Sequence, residues 1–285
     1  MKTSYQKQLH YIFDRPVTEK PWYWSPREEE EPVFEESNPL EAFEFIERLC
    51  LTAKTDLVPF SDDQVGVGLD FVFNYSGLAS DFKQASVSFE RREQAIRSLA
   101  VLFRELLDPR CKPQTSAYSK EIDSELNNFC YMFWDVCPWS NWFDYAKIDK
   151  EGYDDLLEWS LENLPAADSD DPILAQSRAF LKKLRPESTA KKKTAEEVVA
   201  GYQQQFSKLD AATRGYYEAI AYVMQECLQM SNPACVESGL HGLGHMVPFL
   251  PDIALPIIDQ YLKNKKNTKE HLVQYAQAAR TGMIL

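Results

Sequence analysis

Apolar residues recur along most of this chain at intervals of three and four, the period of a helix with one buried stripe. Phe43, Ile46 and Cys50 make one stripe, Val65, Leu69 and Val72 a second, and Ala95, Leu99, Leu102 and Leu106 a third. Ile122, Leu126, Phe129 and Phe133 follow, then Tyr153, Leu156, Leu157 and Leu164. Val198, Tyr202, Phe206 and Leu209 form another, and Ile220, Met224 and Cys227 the next. Helix-start signals precede them: Asn38-Pro39, Ser61 with Gln64, Ser88, Asp171-Pro172, Thr194 with Glu197, and Asn232-Pro233. Helix stops are predicted before Pro109 and Pro138 and at Gly282. Two more helices are predicted, around Ile253–Leu262 and Thr268–Arg280. No Asn-Gly or Asp-Gly turn separates two alternating segments, so no hairpin is predicted. The pattern specifies an all-α fold.

Residues 1–37 break the period. They hold Pro16, Pro21, Pro26 and Pro32, the aromatics Trp22-Tyr23-Trp24, and the run Glu28–Glu31. This reads as an extended N-terminal arm whose aromatics pack onto the body, with a solvated acidic run. Two helical regions follow, 38–165 and 166–285, predicted to be continuous with each other. Helix starts recur about every 23 residues, or about 46 per pair, against roughly 40–47 for HEAT and armadillo units. The spacing therefore resembles that of HEAT-like repeats, which implies an α-solenoid. An irregular multi-helix bundle is the alternative.

Glycine is scarce, with 10 residues in 285, fewer than the turns of a nucleotide-binding α/β fold or a β-sandwich normally use. The net charge of -13 is uneven. Residues 1–165 carry 17 Lys+Arg against 31 Asp+Glu, and residues 166–285 carry 14 against 13. An acidic region of this kind repels nucleic acid and membrane surfaces and attracts basic proteins. Six cysteines are scattered without a C-x-x-C pair, and a chain this long needs no disulfide framework. No apolar leader follows Met1, and the apolar run near Ala100–Phe103 is too short to span a bilayer. A reducing cytoplasm is the expected location.

The segment 232–245 concentrates Cys235, Glu237, Gly239, His241, Gly242, Gly244 and His245. Three glycines cost a helix roughly 1 kcal/mol each relative to alanine, so close packing or a site must compensate. Val236, Leu240, Leu243 and Val247 form the core stripe; Gly239 and Gly242 leave a flank open to a neighbouring helix. Glu237, His241 and His245 follow i, i+4, i+8. One reading is an inner helix with hydrogen-bonded histidines. A second is imidazoles lining a binding surface. A third is a metal centre with Glu237, His241 and His245 as ligands. The metalloprotease motif places a Glu directly after the first His; position 242 is Gly, so that chemistry is excluded.

The segment 133–145 interleaves aromatics with carboxylates. Asp135, Trp139, Trp142, Asp144 and Tyr145 are the candidate partner-binding residues, since tryptophan and tyrosine dominate binding hot spots and the acids suit a basic partner. There is no Walker A loop, G-x-G-x-x-G or G-x-S-x-G. Together these features predict a non-catalytic protein-binding protein with no cofactor or stoichiometric metal. In its concrete form it is an immunity or antitoxin-type inhibitor that occludes a basic bacterial toxin or nuclease. The alternatives are a metal-dependent helical enzyme centred on Glu237, His241 and His245, and a general adaptor.

Overall fold

The computed structural model describes residues 4–24, 38–113, 124–140, 194–264 and 269–282, and among these the regular structure is helical with no strand. The helices are α1 Tyr5–Phe13, α2 Pro39–Asp56, α3 Asp62–Asp70, α4 Leu78–Gln84, α5 Phe89–Arg97, α6 Leu99–Leu102 and α7 Asp108–Arg110. They continue with α8 Glu125–Val136, α9 Ala195–Phe206, α10 Ala211–Cys227, α11 Pro233–Met246, α12 Pro251–Lys263 and α13 Glu270–Arg280. None is long and apolar enough to cross a membrane.

The expected caps form. Asn38, Ser61, Ser88, Thr194 and Asn232 each accept a first-turn backbone N–H, and Ser61–Gln64 and Thr194–Glu197 close reciprocal boxes. Gly282 takes a positive φ of 72° behind α13, the left-handed cap that glycine adopts without a Cβ clash. Within the described residues the predicted stripes are core: Phe43, Ile46, Val65, Leu69, Leu102, Phe133, Met224 and Leu240 are all fully buried; Ile122, the stripe Tyr153, Leu156, Leu157 and Leu164, and the helix start at Asp171-Pro172 lie outside the described residues.

Two local readings change. The start of the arm is helical, because Leu9, Ile12 and Phe13 share one face and Ser4 caps the first turn. Its prolines begin only at Pro16, beyond the helix. Trp22 and Tyr23 do pack on the body, against Phe71 and Tyr75 at 4.7 and 4.6 Å between centroids, while Trp24 is exposed. The helix expected to stop before Pro109 instead breaks earlier. Ser98 returns its hydroxyl to the Ala95 carbonyl (2.6 Å), and a π-helical turn, Phe103–Leu107, leads into α7 with Pro109 inside it. A wide turn suits an approaching proline, which has no N–H for the normal ladder.

Packing joins elements far apart in sequence, α3 on α8, α5 on α10 and α8 on α11, as well as near neighbours, α10 on α11 and α11 on α13. A solenoid stacks each unit on its chain neighbours, as α10 and α11 do, whereas α5 on α10 is a long-range pairing of the kind a multi-helix bundle makes. The expected boundary at 165/166 lies outside the described residues, but helices from both sides share one apolar core. At its centre is α11, where every residue except His245 is buried. The glycine flank is where α10 and α8 approach. A Cβ on Gly239 would lie 2.7 Å from the Met224 carbonyl oxygen, and one on Gly242 would lie 2.7 Å from Trp134 Cγ.

Candidate functional site

Helices α8 and α11 lie side by side and run in the same direction. Cys130 Sγ is 4.0 Å from Cys235 Sγ, and Ser238 donates to the Cys130 carbonyl (2.5 Å). One turn or so further along each helix, Asp135 meets His241, 106 residues away in sequence. Residue numbers rise together across the contact, as they do only in a parallel pair. The start of α11 is pinned by Asp108, which accepts from the Asn232 backbone N–H (2.6 Å) and the Ser231 hydroxyl (3.0 Å). The C-terminal ends, at Val136 and Met246, therefore come to the same end of the bundle.

A helix C-terminus carries roughly half a negative charge from its unpaired carbonyls. Asp135 adds a carboxylate in the last turn of α8, where that dipole disfavours an anion. His245 occupies the last turn of α11. Two helix ends and a carboxylate make a place suited to a cation.

The side chains converge on one point. His241 Nε2 is 2.8 Å from Asp135 Oδ2, His245 Nε2 is 2.7 Å from Asp135 Oδ1, and the two Nε2 atoms are 3.0 Å apart. The rings of the two histidines meet edge to face at 4.5 Å. His241 is buried, with 2 % of its side chain exposed, whereas Asp135 and His245 keep 28 % and 33 %. Burial alone would raise the Asp135 carboxyl, but hydrogen bonds and charge from His241 and His245 hold it well below the usual carboxylate range. Behind His241, its Nδ1 lies 2.6 Å from the Tyr275 hydroxyl, and the Tyr131 ring packs on the imidazole at 4.6 Å. Burial and a hydrogen bond to Tyr131 push the Tyr275 hydroxyl up, so it keeps its proton.

Among the described residues, the three-ligand group able to hold a metal is Asp135, His241 and His245. The spacing-based trio contributes its two histidines. Glu237 is buried one turn earlier on α11 and is not a member; the carboxylate comes from across the helix pair. The i, i+4 rule aligns side chains along one helix, but a neighbouring helix can bring an acid between two imidazoles more closely than a third residue on the same rail.

The aromatic–acidic segment divides. Asp135 belongs to the cluster just described. Trp139 is buried at 1 % exposure, its ring packed tilted against Phe82 at 4.1 Å between centroids and its Nε1 donating to the Ala79 carbonyl (2.8 Å), so it lies in the core and not on a partner surface. Trp142, Asp144 and Tyr145 lie outside the described residues. Tyr131 and Tyr275 carried no signal in the sequence, since tyrosines at helical spacing read as ordinary core edge. No family model, curated protein or solved structure matches the chain.

Proposed function

We propose that this protein binds one first-row divalent metal ion, of the zinc class, through His241 Nε2, His245 Nε2 and the Asp135 carboxylate. A single observation carries the reading: two imidazole nitrogens 3.0 Å apart both lie within 2.8 Å of one carboxylate. Neighbouring ligands of a tetrahedral zinc with bonds of about 2.0–2.1 Å lie about 3.3 Å apart, so small side-chain adjustments admit the ion. Nitrogen and carboxylate donors of this kind suit zinc and its neighbours rather than calcium or magnesium.

Three protein ligands with an exposed side are the pattern of metal centres that do chemistry, in which a further position stays open to water or substrate; closed structural sites use four. A bound ion supplies Lewis acidity and an acidified water. The chain itself supplies a buried imidazole, a carboxylate held ionised, and access through the Asp135 and His245 side. The functional class is thus a metal-dependent helical protein. The reading as a toxin inhibitor rests on the acidic balance of residues 1–165 and on Trp142, Asp144 and Tyr145.

The test uses the full chain purified without chelator or histidine tag. Elemental analysis is expected to find about one zinc per chain, lost in Asp135→Ala and in His241→Ala. Zinc at a hundred times its Kd should add about 2.7 kcal/mol to the wild-type stability. A wild-type protein with no bound metal and no zinc-dependent change in melting temperature sinks the proposal.

A further inference from the structure

The six cysteines follow no motif along the chain, yet the fold brings two of them together. Cys130 Sγ lies 4.0 Å from Cys235 Sγ, 105 residues away, and both side chains are fully buried. Cys130 belongs to α8 and Cys235 to the first turn of α11, the two helices that carry Asp135 and the paired histidines. A buried thiol alone is inert. A second thiol at contact distance changes that, because an oxidised sulfur then has its resolving partner in place.

The contact is held from both helices. The Ser238 hydroxyl donates to the Cys130 carbonyl (2.5 Å), and the Cys130 thiol donates to the Ala234 carbonyl (3.8 Å). Asn232, three residues before Cys235, is fixed in turn by the Asp108 carboxylate and the Cys111 carbonyl. A disulfide joins its sulfurs at about 2.05 Å. The pair therefore has about 2 Å to close, a distance within the sweep of a thiol about its Cα–Cβ bond. Cys111 is the neighbour that could compete, since its thiol donates to the Leu126 carbonyl (3.9 Å), one turn before Cys130.

We propose that Cys130 and Cys235 are a redox pair that closes a disulfide between α8 and α11 by exchange with a small-molecule disulfide. The inference does not rest on the metal reading of Asp135, His241 and His245. One cysteine, as thiolate, attacks the external disulfide; a mixed disulfide forms and one small thiolate leaves. The second cysteine, as thiolate, then attacks the protein sulfur of that mixed disulfide; the Cys130–Cys235 bond forms and the second small thiolate leaves. The two protons lost by the cysteines end on the two released thiols. Two protein thiols are oxidised and one external disulfide is reduced. Burial sets the rate, because the exchange waits on local opening of the helix contact. It does not set the equilibrium, which follows from how closely the folded chain holds the two sulfurs.

The bond would tie the acidic region to the near-neutral one across a loop of more than a hundred residues. Closing a long loop in the unfolded chain favours the folded state. The oxidised protein is thus expected to resist separation of α8 from α11.

The experiment refolds the reduced full-length chain from urea in glutathione buffers of rising disulfide-to-thiol ratio, with a chelator present to keep metal off the thiols. Free thiols are then alkylated and the links mapped by mass spectrometry. The expected result is one intramolecular link, Cys130 to Cys235, in most chains at ratios where Cys50, Cys137 and Cys227 remain free. Its share should fall as reduced glutathione is raised, and the folding equilibrium constant of the linked chain should rise by about tenfold or more. Six free thiols at every ratio, or a link made chiefly by Cys111, overturns the pairing. A linked chain that is no more stable than the reduced one, or that has lost helical circular dichroism, overturns it as well, since the bond then strains the fold. Cys235→Ala is expected to show no gain in stability under the same oxidation, and an equal gain would overturn the assignment. Should that variant fail to fold, the map of the wild-type chain decides alone.

Discussion

At the scale of single residues, Trp139 shows how one side chain can carry opposite readings. Beside carboxylates in sequence it has the chemistry of a binding hot spot, yet in the fold its ring fills the space between Phe73 and Phe82, and Tyr216 donates to its carbonyl (3.2 Å). Trp139→Ala is therefore expected to cost about 3–5 kcal/mol in urea unfolding, the range for large-to-small changes of buried aromatics. A loss below about 1 kcal/mol, typical of a surface change, would contradict the core placement. Nearby, Lys83 donates to the Pro138 carbonyl (2.9 Å), and burial brings its amine down to about 8 from an ordinary 10.5. The unfolded chain then holds a proton that the folded one has lost between those values, so this residue adds stability as pH rises from 8 to 10.5. Burial drives the Cys50 and Cys137 thiols up to about 12, which works the other way above the ordinary thiol range. The lysine contribution is thus read as a difference: wild type minus Lys83→Met should gain stability from pH 8 to 10, and a flat difference would remove Lys83 from the account.

At the scale of elements, α11 was conspicuous because its glycines weaken a helix, and the structure supplies the compensation. Gly239 lets α10 approach to backbone contact, and Gly242 receives the Trp134 ring from α8 and the Met224 methyl from α10. Gly242→Leu is expected to lower stability by about 1–3 kcal/mol, as overpacking does. At an open helical site the same change would add about 1 kcal/mol, so a raised melting temperature refutes close packing. The same helix depends on its start. Asp108 accepts from Ser231 and Asn232, and Asn232 in turn donates to the Cys111 carbonyl (2.7 Å). Asp108→Ala should cost about 1–2 kcal/mol, the scale of a lost helix cap, as measured by denaturant midpoint at constant slope.

For the molecule as a whole, described helices of the acidic and near-neutral regions share one core, because α5 and α8 of the first pack on α10 and α11 of the second. Far-UV circular dichroism and tryptophan fluorescence are therefore expected to report one coincident unfolding transition. Two separated transitions would divide the chain at the composition boundary instead. The proposed metal site spans the same seam, since Asp135 lies in the acidic region and both imidazoles in the other. Zinc should accordingly move the whole transition to higher temperature and not sharpen one part of it.

Caps, stripes and the all-helical class were open to inspection in the sequence, because each depends on residues three or four apart along one helix. Asn38, Ser61 with Gln64, and Thr194 with Glu197 need nothing beyond their own first turn. His241 and His245 were legible as a pair for the same reason. Their carboxylate was not, since Asp135 reaches them only because α8 lies parallel to α11 with its end at theirs. Periodicity tells which face of a helix is apolar; it does not tell which of many apolar faces meet, or in which direction the helices run. The same limit hid Tyr131 and Tyr275, and it set Trp139 in the core. The local physics of the chain determined its helices and the candidate imidazoles, and only the choice of packing partners decided that a distant aspartate joins their cluster.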